Sequence, residues 1–216
     1  MVREPPELVI FDCDGVLVDS ERIAVKVDQV VLATVGIALT EAEIIDRFVG
    51  RSASVMDQAI EKQLGGPIPK DLRQRWEDLY RRAFEIDLKP VDGINEALAE
   101  LRQPACVASS SEPRSLRHKL ALTGLLPRFE GRIFSASQVR RGKPAPDVFL
   151  YAAAQLGVPP EGCVVVEDSQ YGVEAALAAD MHVLAYAGGI TRIETLQREG
   201  VAVFHAMRDL PGLISQ

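Results

Sequence analysis

The sequence has few of the features that mark secreted proteins, membrane proteins or zinc-binding modules. Only three of its 216 residues are cysteine, Cys13, Cys106 and Cys163, and they form no Cys-x-x-Cys pair. Because each lies in or beside an apolar run, we expect buried free thiols in a reducing compartment, not disulfides or zinc ligands. The N-terminus has no apolar signal segment, and no apolar run reaches the ~18 residues of a membrane span. These absences predict a cytoplasmic protein that does not enter a membrane.

Positive charge is also in short supply. The chain has 24 Lys and Arg residues against 31 Asp and Glu residues, which gives a formal net charge of -7 and a pI near 5.1. This balance argues against nucleic acid or an anionic membrane as a partner, since both are polyanions. No feature indicates a protein partner. An anionic ligand must therefore be a small molecule held by a local group of residues.

What the sequence does have is a series of short runs that are apolar throughout. These runs are residues 8–11, 105–108, 163–166, 183–186 and 201–204. Unbroken apolar runs of this length indicate strands that are covered on both faces, as in a parallel sheet. Helical patterns separate most of them, for example after Asp92 and from Pro113 to about Leu122. Strand and helix in alternation predict an α/β fold with a doubly wound, Rossmann-like parallel sheet.

One connection is far longer than the others. Roughly seventy residues separate the first apolar run from the helix near Asp92, where loops in α/β units usually have about two to six. Apolar residues recur there at helical spacing in three stretches, near residues 23–35, 55–64 and 72–83. We therefore predict a core domain of residues 1–17 and 89–216, with an all-helical cap domain inserted as residues 18–88.

Polar residues follow the apolar runs at the points where the strands should end. In chain order they are Asp12 and Asp14, Ser109 and Ser110, Lys143 in a proline-rich turn, and Glu167 with Asp168. In an open parallel sheet these positions converge on one edge, where ligands bind. Crowded carboxylates favour a divalent cation, and an oxygen-only set suits Mg²⁺. A lysine and a hydroxyl beside them can hold phosphate oxygens, so the pattern predicts a phosphoryl-transfer site.

The two acids of the Asp-x-Asp turn can have different tasks. One carboxylate can attack phosphorus while its neighbour handles the proton of the leaving group, which gives Asp12 as nucleophile and Asp14 as acid/base. Gly15 allows the chain to turn close to a ligand. We interpret residues 16–21 as a hinge into the insert, with a structural role for Asp19.

Four motifs in order carry a family resemblance that covers nearly the whole chain. They are FDCDGVLVDSE at residues 11–21, VASSS at 107–111, KPAPD at 143–147, and VEDS at 166–169 followed by Gly172. With a helical insert after the first motif, the sequence resembles the phosphatases of the haloacid dehalogenase superfamily, in the branch of β-phosphoglucomutases and sugar-phosphate phosphatases.

The resemblance implies a role for each motif. Asp12 would form an aspartyl-phosphate, Asp14 would protonate the leaving alcohol and then activate water, and Ser109 and Lys143 would hold the phosphoryl oxygens. Mg²⁺ would be bound by Asp12, the backbone carbonyl of Asp14, and Asp168. Two assignments stay open. Glu167 is either a direct ligand or a neighbour of the ligands, and Ser110 either touches substrate or satisfies a loop carbonyl. The family's metal-free dehalogenases lack the second acid, so Asp14 argues against dehalogenation.

Departures from the motifs bear on the substrate. The related β-phosphoglucomutases have a histidine, an arginine and a lysine where this chain has Ala24, Ala53 and Glu112. Arg51 lies two positions before Ala53 and either reaches the substrate from the cap or lies in solvent. We therefore expect a phosphatase acting on a small sugar, sugar-acid or polyol phosphate. The alternatives are a phosphomutase and a non-catalytic phosphate-binding module.

Overall fold

Six short strands form one sheet in which every neighbouring pair is parallel. The computed structural model describes residues 5–49 and 53–215. The strands are β1 (Leu8–Phe11), β2 (Ala105–Ser109), β3 (Ile133–Ser135), β4 (Cys163–Glu167), β5 (His182–Tyr186) and β6 (Ala202–Phe204). Their order is β3-β2-β1-β4-β5-β6, so β1 lies between β2 and β4. The predicted doubly wound α/β fold is confirmed.

The apolar runs form strands because both faces of the sheet are covered. Along β1, Val9 and Phe11 belong to one hydrophobic cluster, whereas Leu8 and Ile10 belong to a second one. Successive side chains of a strand point to opposite faces, so each face of β1 has its own core. All three cysteines are free and buried, as expected.

Helices make up most of the rest of the described chain. In order they are α1 (Glu21–Thr34), α2 (Glu41–Phe48), α3 (Ala53–Leu64), α4 (Lys70–Asp87), α5 (Ile94–Glu100), α6 (Pro113–Leu122), α7 (Leu126–Phe129), α8 (Asp147–Leu156), α9 (Gln170–Ala178), α10 (Ile193–Leu196) and α11 (Leu210–Ile214). No helix in these ranges is both long and apolar enough to cross a lipid bilayer.

Several elements were absent from the sequence-based prediction, among them strand β3, helix α2 and the short helices α7, α10 and α11. The three-residue strand β3 is too short to stand out as an apolar run. Helix α2 begins at a capping box, in which the Thr40 side chain accepts the Glu43 N–H and the Glu43 side chain accepts the Thr40 N–H. The pattern Thr-x-x-Glu is a recognised start signal for a helix, so the sequence did contain the information for α2.

Helices α1–α4, here called the helical insert, share a hydrophobic cluster of their own. Val31, Ile44, Ile60 and Trp76 are among its buried members, and Ile190 from the loop after β5 packs against it. The chain enters and leaves the insert side by side, because the Asp19 N–H donates to the Lys89 carbonyl oxygen at 3.0 Å. The boundaries of the predicted cap domain remain a prediction.

The register of the sheet brings the polar strand ends together. Phe11, the last residue of β1, pairs with Val107 of β2 on one side and with Val166 of β4 on the other. The residues that follow these positions therefore emerge at one edge. The strand order reverses next to β1, and ligands of such parallel sheets usually bind at this edge, beside the reversal.

Candidate functional site

Asp12 lies directly after β1 and is paired with a lysine from a turn that is distant in sequence. Lys143 Nζ lies 2.5 Å from Asp12 Oδ1 and 2.7 Å from Glu167 Oε1, and it donates to the Ala108 carbonyl oxygen at 3.2 Å. The lysine side chain is only 3% exposed. One buried ammonium therefore holds two carboxylates, at the ends of β1 and β4, and ties both of them to β2.

This pairing does not fully compensate Asp12 for the loss of water. Burial raises the pKa of Asp12 to about 7; Lys143 opposes the rise, and the charges of Glu167 and Asp14 add to it. Burial disfavours the charge on Lys143 as well, but the two carboxylates beside it raise its pKa above the ordinary value. The lysine thus stays charged, and the site retains an excess of acid groups.

Asp14 has a separate set of partners, which engage both of its carboxylate oxygens. Oδ1 accepts hydrogen bonds from Ser20 Oγ and Lys119 Nζ, and Oδ2 accepts one from Ser111 Oγ at 2.7 Å. Burial opposes ionisation, yet the Lys119 ammonium and these hydrogen bonds lower the pKa of Asp14 below its ordinary value. Asp12 and Asp14 are two residues apart, and their environments shift their pKa values in opposite directions. Such divergence is typical of paired acids with different roles.

Lys119 is a residue that the sequence analysis missed. It lies in α6, is 4% exposed, and donates to Ser111 Oγ at 2.9 Å as well as to Asp14. A signal was available in the helix pattern. Lys119 follows Leu116 by three positions and precedes Leu120, both fully buried, so the lysine lies on the apolar face of α6. A charged residue on a buried face needs a partner, which here is Asp14.

Asp168 follows β4 and is 1% exposed, and its Oδ2 atom has no hydrogen-bond partner among the residues that the structure describes. Gly15 is close enough that a Cβ atom at that position would clash with the Asp168 carboxylate, and its φ of +79° is also a glycine conformation. Glycine is therefore needed there for two reasons. This buried carboxylate oxygen is the strongest sign in the site that a positively charged ligand can bind here.

Glu21 lies against Asp168. Burial together with nearby acids raises the pKa values of both carboxyl groups, that of Glu21 to about 8. Within the described part of the chain, Glu21 Oε2, like Asp168 Oδ2, is buried without a hydrogen-bond partner. Two adjoining buried acid groups with raised pKa values show how strongly this region lacks positive charge.

Residues 16–21 therefore do more than form the predicted hinge. Ser20 binds Asp14 and Glu21 reaches Asp168, so the last two residues of the segment are part of the site. Asp19, for which the sequence predicts a structural role, faces Arg22 at 3.8 Å, and its side chain is 48% exposed. The sequence analysis missed Ser20 and Glu21 because sequence order does not show which way the first turn of α1 faces.

Glu167 has both carboxylate oxygens engaged by protein donors. Oε1 accepts from Lys143, and Oε2 accepts from the Ser169 backbone N–H at 2.8 Å and from Ser169 Oγ at 2.9 Å. A Cβ atom at Gly172 would clash with this carboxylate, which explains the glycine of the fourth motif. Of the two roles open to Glu167, these contacts support the indirect one, in which it holds Lys143 and the turn after β4.

The carboxylate and carbonyl oxygens at this edge suit a cation that needs few protein ligands. Within the described ranges, no group of three or more His, Cys, Asp or Glu side chains is arranged to hold a metal ion. The contacts explain this, because Asp14 and Glu167 are engaged elsewhere. Two buried carboxylates at the strand ends, Asp12 and Asp168, remain available, together with the Asp14 backbone carbonyl, and Glu21 Oε2 lies beside Asp168. Mg²⁺ commonly binds with one or two carboxylates, water and a phosphate oxygen, so the residues fit that ion.

The remaining residues predicted to contact phosphate or substrate are Ser109, Ser110 and Arg51. Ser109 ends β2 and is 1% exposed; its Oγ accepts the Ser111 N–H at 3.0 Å, so its own hydrogen can be donated. Ser110 is exposed. Arg51, the predicted cap contact to substrate, lies outside the described residues. The structure thus brings Asp12, Asp14 and Lys143 to one edge with Ser109 and Asp168.

Comparison with known proteins agrees with this geometry. A family model described as haloacid dehalogenase-like hydrolase matches residues 6–180. The chain is 30% identical over 184 residues to 6-phosphogluconate phosphatase of Escherichia coli, with 83% of this chain and 82% of that protein covered. It is 32% identical over 180 residues to hexitol phosphatase B of the same species, with 80% and 79% covered.

The fold has a close counterpart among solved structures. A conserved haloacid dehalogenase-like protein of unknown function from Agrobacterium tumefaciens is 38% identical, with a TM-score of 0.82 and 97% of each chain covered. Nearly the whole chain therefore shares its architecture with this protein. The chain belongs to the haloacid dehalogenase-like hydrolase family, among its phosphoric monoester hydrolases.

Proposed function

We propose that the protein is a Mg²⁺-dependent phosphatase that hydrolyses a small phosphomonoester through an aspartyl-phosphate on Asp12. The observation that carries the proposal is the convergence of Asp12, Asp14, Lys143 and Asp168 at one edge of the sheet. Three of them are almost fully buried, and the fourth is held by three donors. A stability role does not require this arrangement, since burying several acids is costly.

In the first step, a carboxylate oxygen of Asp12 attacks phosphorus while the bond from phosphorus to the leaving oxygen breaks. Asp14 gives its proton to that oxygen, so that an alcohol departs. Lys143 and the Ser109 hydroxyl hold phosphoryl oxygens. Because Asp14 is ionised when it is bound to Lys119, it must take up a proton before it can act as the acid.

In the second step, the deprotonated Asp14 removes a proton from water, and the water oxygen attacks phosphorus. The bond from phosphorus to Asp12 breaks, inorganic phosphate is released, and both acids return to their starting states. Mg²⁺ held by Asp12, Asp168 and the Asp14 backbone carbonyl would neutralise these carboxylates and offset the charge on the phosphoryl group.

We place the substrate among sugar, sugar-acid and polyol phosphates. Two relatives of the chain carry names that specify 6-phosphogluconate and hexitol phosphates. We also propose that the helical insert acts as a cap that excludes water and selects the alcohol portion. Three buried free thiols support a reducing, cytoplasmic setting.

The proposal is tested by phosphate release from 6-phosphogluconate and a hexitol phosphate in the presence of Mg²⁺. Asp12→Asn should abolish turnover and covalent phosphate labelling, with the circular dichroism spectrum unchanged. Asp92→Asn is the matched control, because the Asp92 side chain is 94% exposed and faces only Arg208 in an exposed ion pair. Hydrolysis retained by purified Asp12→Asn protein would overturn the mechanism.

The same assay separates the alternatives. A phosphomutase would yield an isomeric phosphate instead of inorganic phosphate. A binding module would bind phosphate without turning over any ester. A phosphatase loses activity when a chelator is added and recovers it when Mg²⁺ is restored.

A further inference from the structure

The contacts of Lys119 go beyond those of a lysine that merely balances a buried acid. Its ammonium has three donor hydrogens. One is directed to Asp14 Oδ1 and one to Ser111 Oγ, and the ammonium also lies over the ring of Phe84, 5.9 Å from the ring centroid. Phe84 belongs to α4 of the helical insert, so the lysine joins the insert to the acid/base residue.

The surrounding contacts show that the end of α4 lies on α6. Next to Phe84, Glu85 Oε1 is 4.0 Å from Nε2 of His118, the residue that precedes Lys119. Glu85 is also bound by Arg81 of its own helix at 3.0 Å. Two adjacent residues of the insert thus face two adjacent residues of the core. A shift of the insert changes the surroundings of Lys119.

Asp14 depends on the insert by a second route. Ser20, which donates to Asp14 Oδ1, immediately precedes α1 of the insert. Ser111 and Lys119 donate to the same carboxylate from the core. With both oxygens taken, the carboxyl group can turn toward a leaving group only if it gives up one of these donors. Its orientation is therefore set jointly by the core and the insert.

We infer that Lys119 is a positioning residue for Asp14, and that Phe84 transmits the position of the helical insert to it. This inference rests on the proposed function. Without the ammonium, two hydroxyl groups alone hold the Asp14 carboxyl, and it can rotate away from the leaving oxygen. Without the aromatic ring, water can reach the ammonium and compete for its hydrogen bonds.

The experiment uses the dependence on the leaving group. p-Nitrophenolate departs without a proton, whereas the alkoxide of glycerol phosphate needs one from Asp14. The ratio kcat/KM reports only steps up to alcohol release, so it excludes the later hydrolysis step. For Lys119→Met we expect kcat/KM to fall about 100-fold with glycerol phosphate and less than about fivefold with p-nitrophenyl phosphate.

Two further variants test the two parts of the inference. Lys119→Arg keeps the charge and should recover part of the activity with glycerol phosphate. Phe84→Leu keeps an apolar side chain but removes the ring, and should lower that activity about tenfold with little effect on the nitrophenyl ester. The controls are Arg117→Met, an exposed residue of α6, and Ile86→Ala, 79% exposed in α4, which should match the wild type.

Each outcome of these measurements supports or overturns either the inference or the proposed function. Equal losses with both esters in a folded Lys119 variant would reduce the lysine to a structural charge partner and overturn the inference, while the phosphatase proposal would stand. If Lys119→Met does not fold, Phe84→Leu decides by the same comparison. If the wild-type protein hydrolyses neither ester nor the sugar phosphates, the proposed function itself fails.

Discussion

The sheet edge and the helical insert bury different kinds of groups. At the edge, Lys143 and Lys119 are almost fully buried and are bound to carboxylates. In the insert, the buried cluster is apolar, and most ion pairs, such as Arg75 with Asp71, lie in solvent. The edge removes its paired charges from water, whereas the insert leaves most of its paired charges in water.

This difference implies that the sheet edge tolerates few changes, whereas the surface of the insert can vary. Buried charges with several partners tolerate little displacement, because an unpaired buried charge is costly. Exposed pairs contribute little to stability and can be exchanged freely. We expect the edge to resist substitution and the insert to accept it, and four measurements examine this contrast in order of decreasing effect.

The largest effect is expected from Lys143→Met. The substitution leaves Asp12 and Glu167 without their shared ammonium, and should lower the free energy of unfolding by about 3–5 kcal/mol. Urea denaturation measures it, with the exposed Lys89→Met as the control. A loss no larger than that of the control would contradict the view that the edge is held by its buried charges.

Trp76→Ala tests the insert in the same way. Trp76 is 5% exposed in the cluster of the insert, and its truncation should destabilise α1–α4 by about 3 kcal/mol. Hydrogen exchange should accelerate in these helices and remain unchanged in β1 and β4. Leu79→Ala, in the same helix but 38% exposed, is the control. Equal acceleration in the sheet would mean that the two regions unfold as one unit.

Asp28 is a half-buried acid in the insert, and its ionisation should make stability depend on pH. Burial raises its pKa from 3.8 to about 6, with a hydrogen bond from Tyr80 Oη opposing the rise. The folded state therefore binds more protons than the unfolded chain between about pH 4 and 6. Stability from this group is present below that window and is lost as pH rises through it.

Asp28→Asn removes the group that titrates. Between pH 4 and 7, the free energy of unfolding should therefore fall by about 2 kcal/mol less in this variant than in the wild type. Urea denaturation at both pH values measures the difference. Asp46→Asn, whose side chain is 74% exposed in the same insert, should leave the decline unaltered. Identical declines in Asp28→Asn and wild type would refute the assignment.

The smallest expected effect compares two helix caps. Thr40 caps α2 in solvent, whereas Ser169 caps α9 and also donates to Glu167. Thr40→Ala should cost about 1 kcal/mol, and Ser169→Ala about 2 kcal/mol because a buried carboxylate loses a donor. Thermal unfolding of both variants measures the difference. Equal costs would show that Glu167 does not depend on Ser169.

The parts of the site that follow apolar runs could be found from the sequence. Asp12 and Asp168 come directly after strands and Ser109 is the last residue of one, and parallel register alone brings them together. Lys143 was predicted from its rigid turn and from the family motif. In each case the chemistry depends on local order along the chain, which a sequence displays.

The parts that depend on how helices pack could not be found in this way. Lys119 and Glu21 reach the edge only because α6 and α1 approach it at particular rotations. The spacing of Leu116 and Leu120 marks Lys119 as buried but does not identify Asp14 as its partner. Strand β3 was missed since three residues carry no usable periodicity.

Ile190 bears on how such proteins can be re-engineered. It lies in the loop after β5, yet it packs into the cluster of the insert, and the same loop brings Gly189 close to the Asp168 carboxylate. A helical insert grafted from a relative would therefore meet a foreign side chain at position 190. Grafts should carry residues 187–192 along with residues 18–88, because recognition and the sheet edge share that loop.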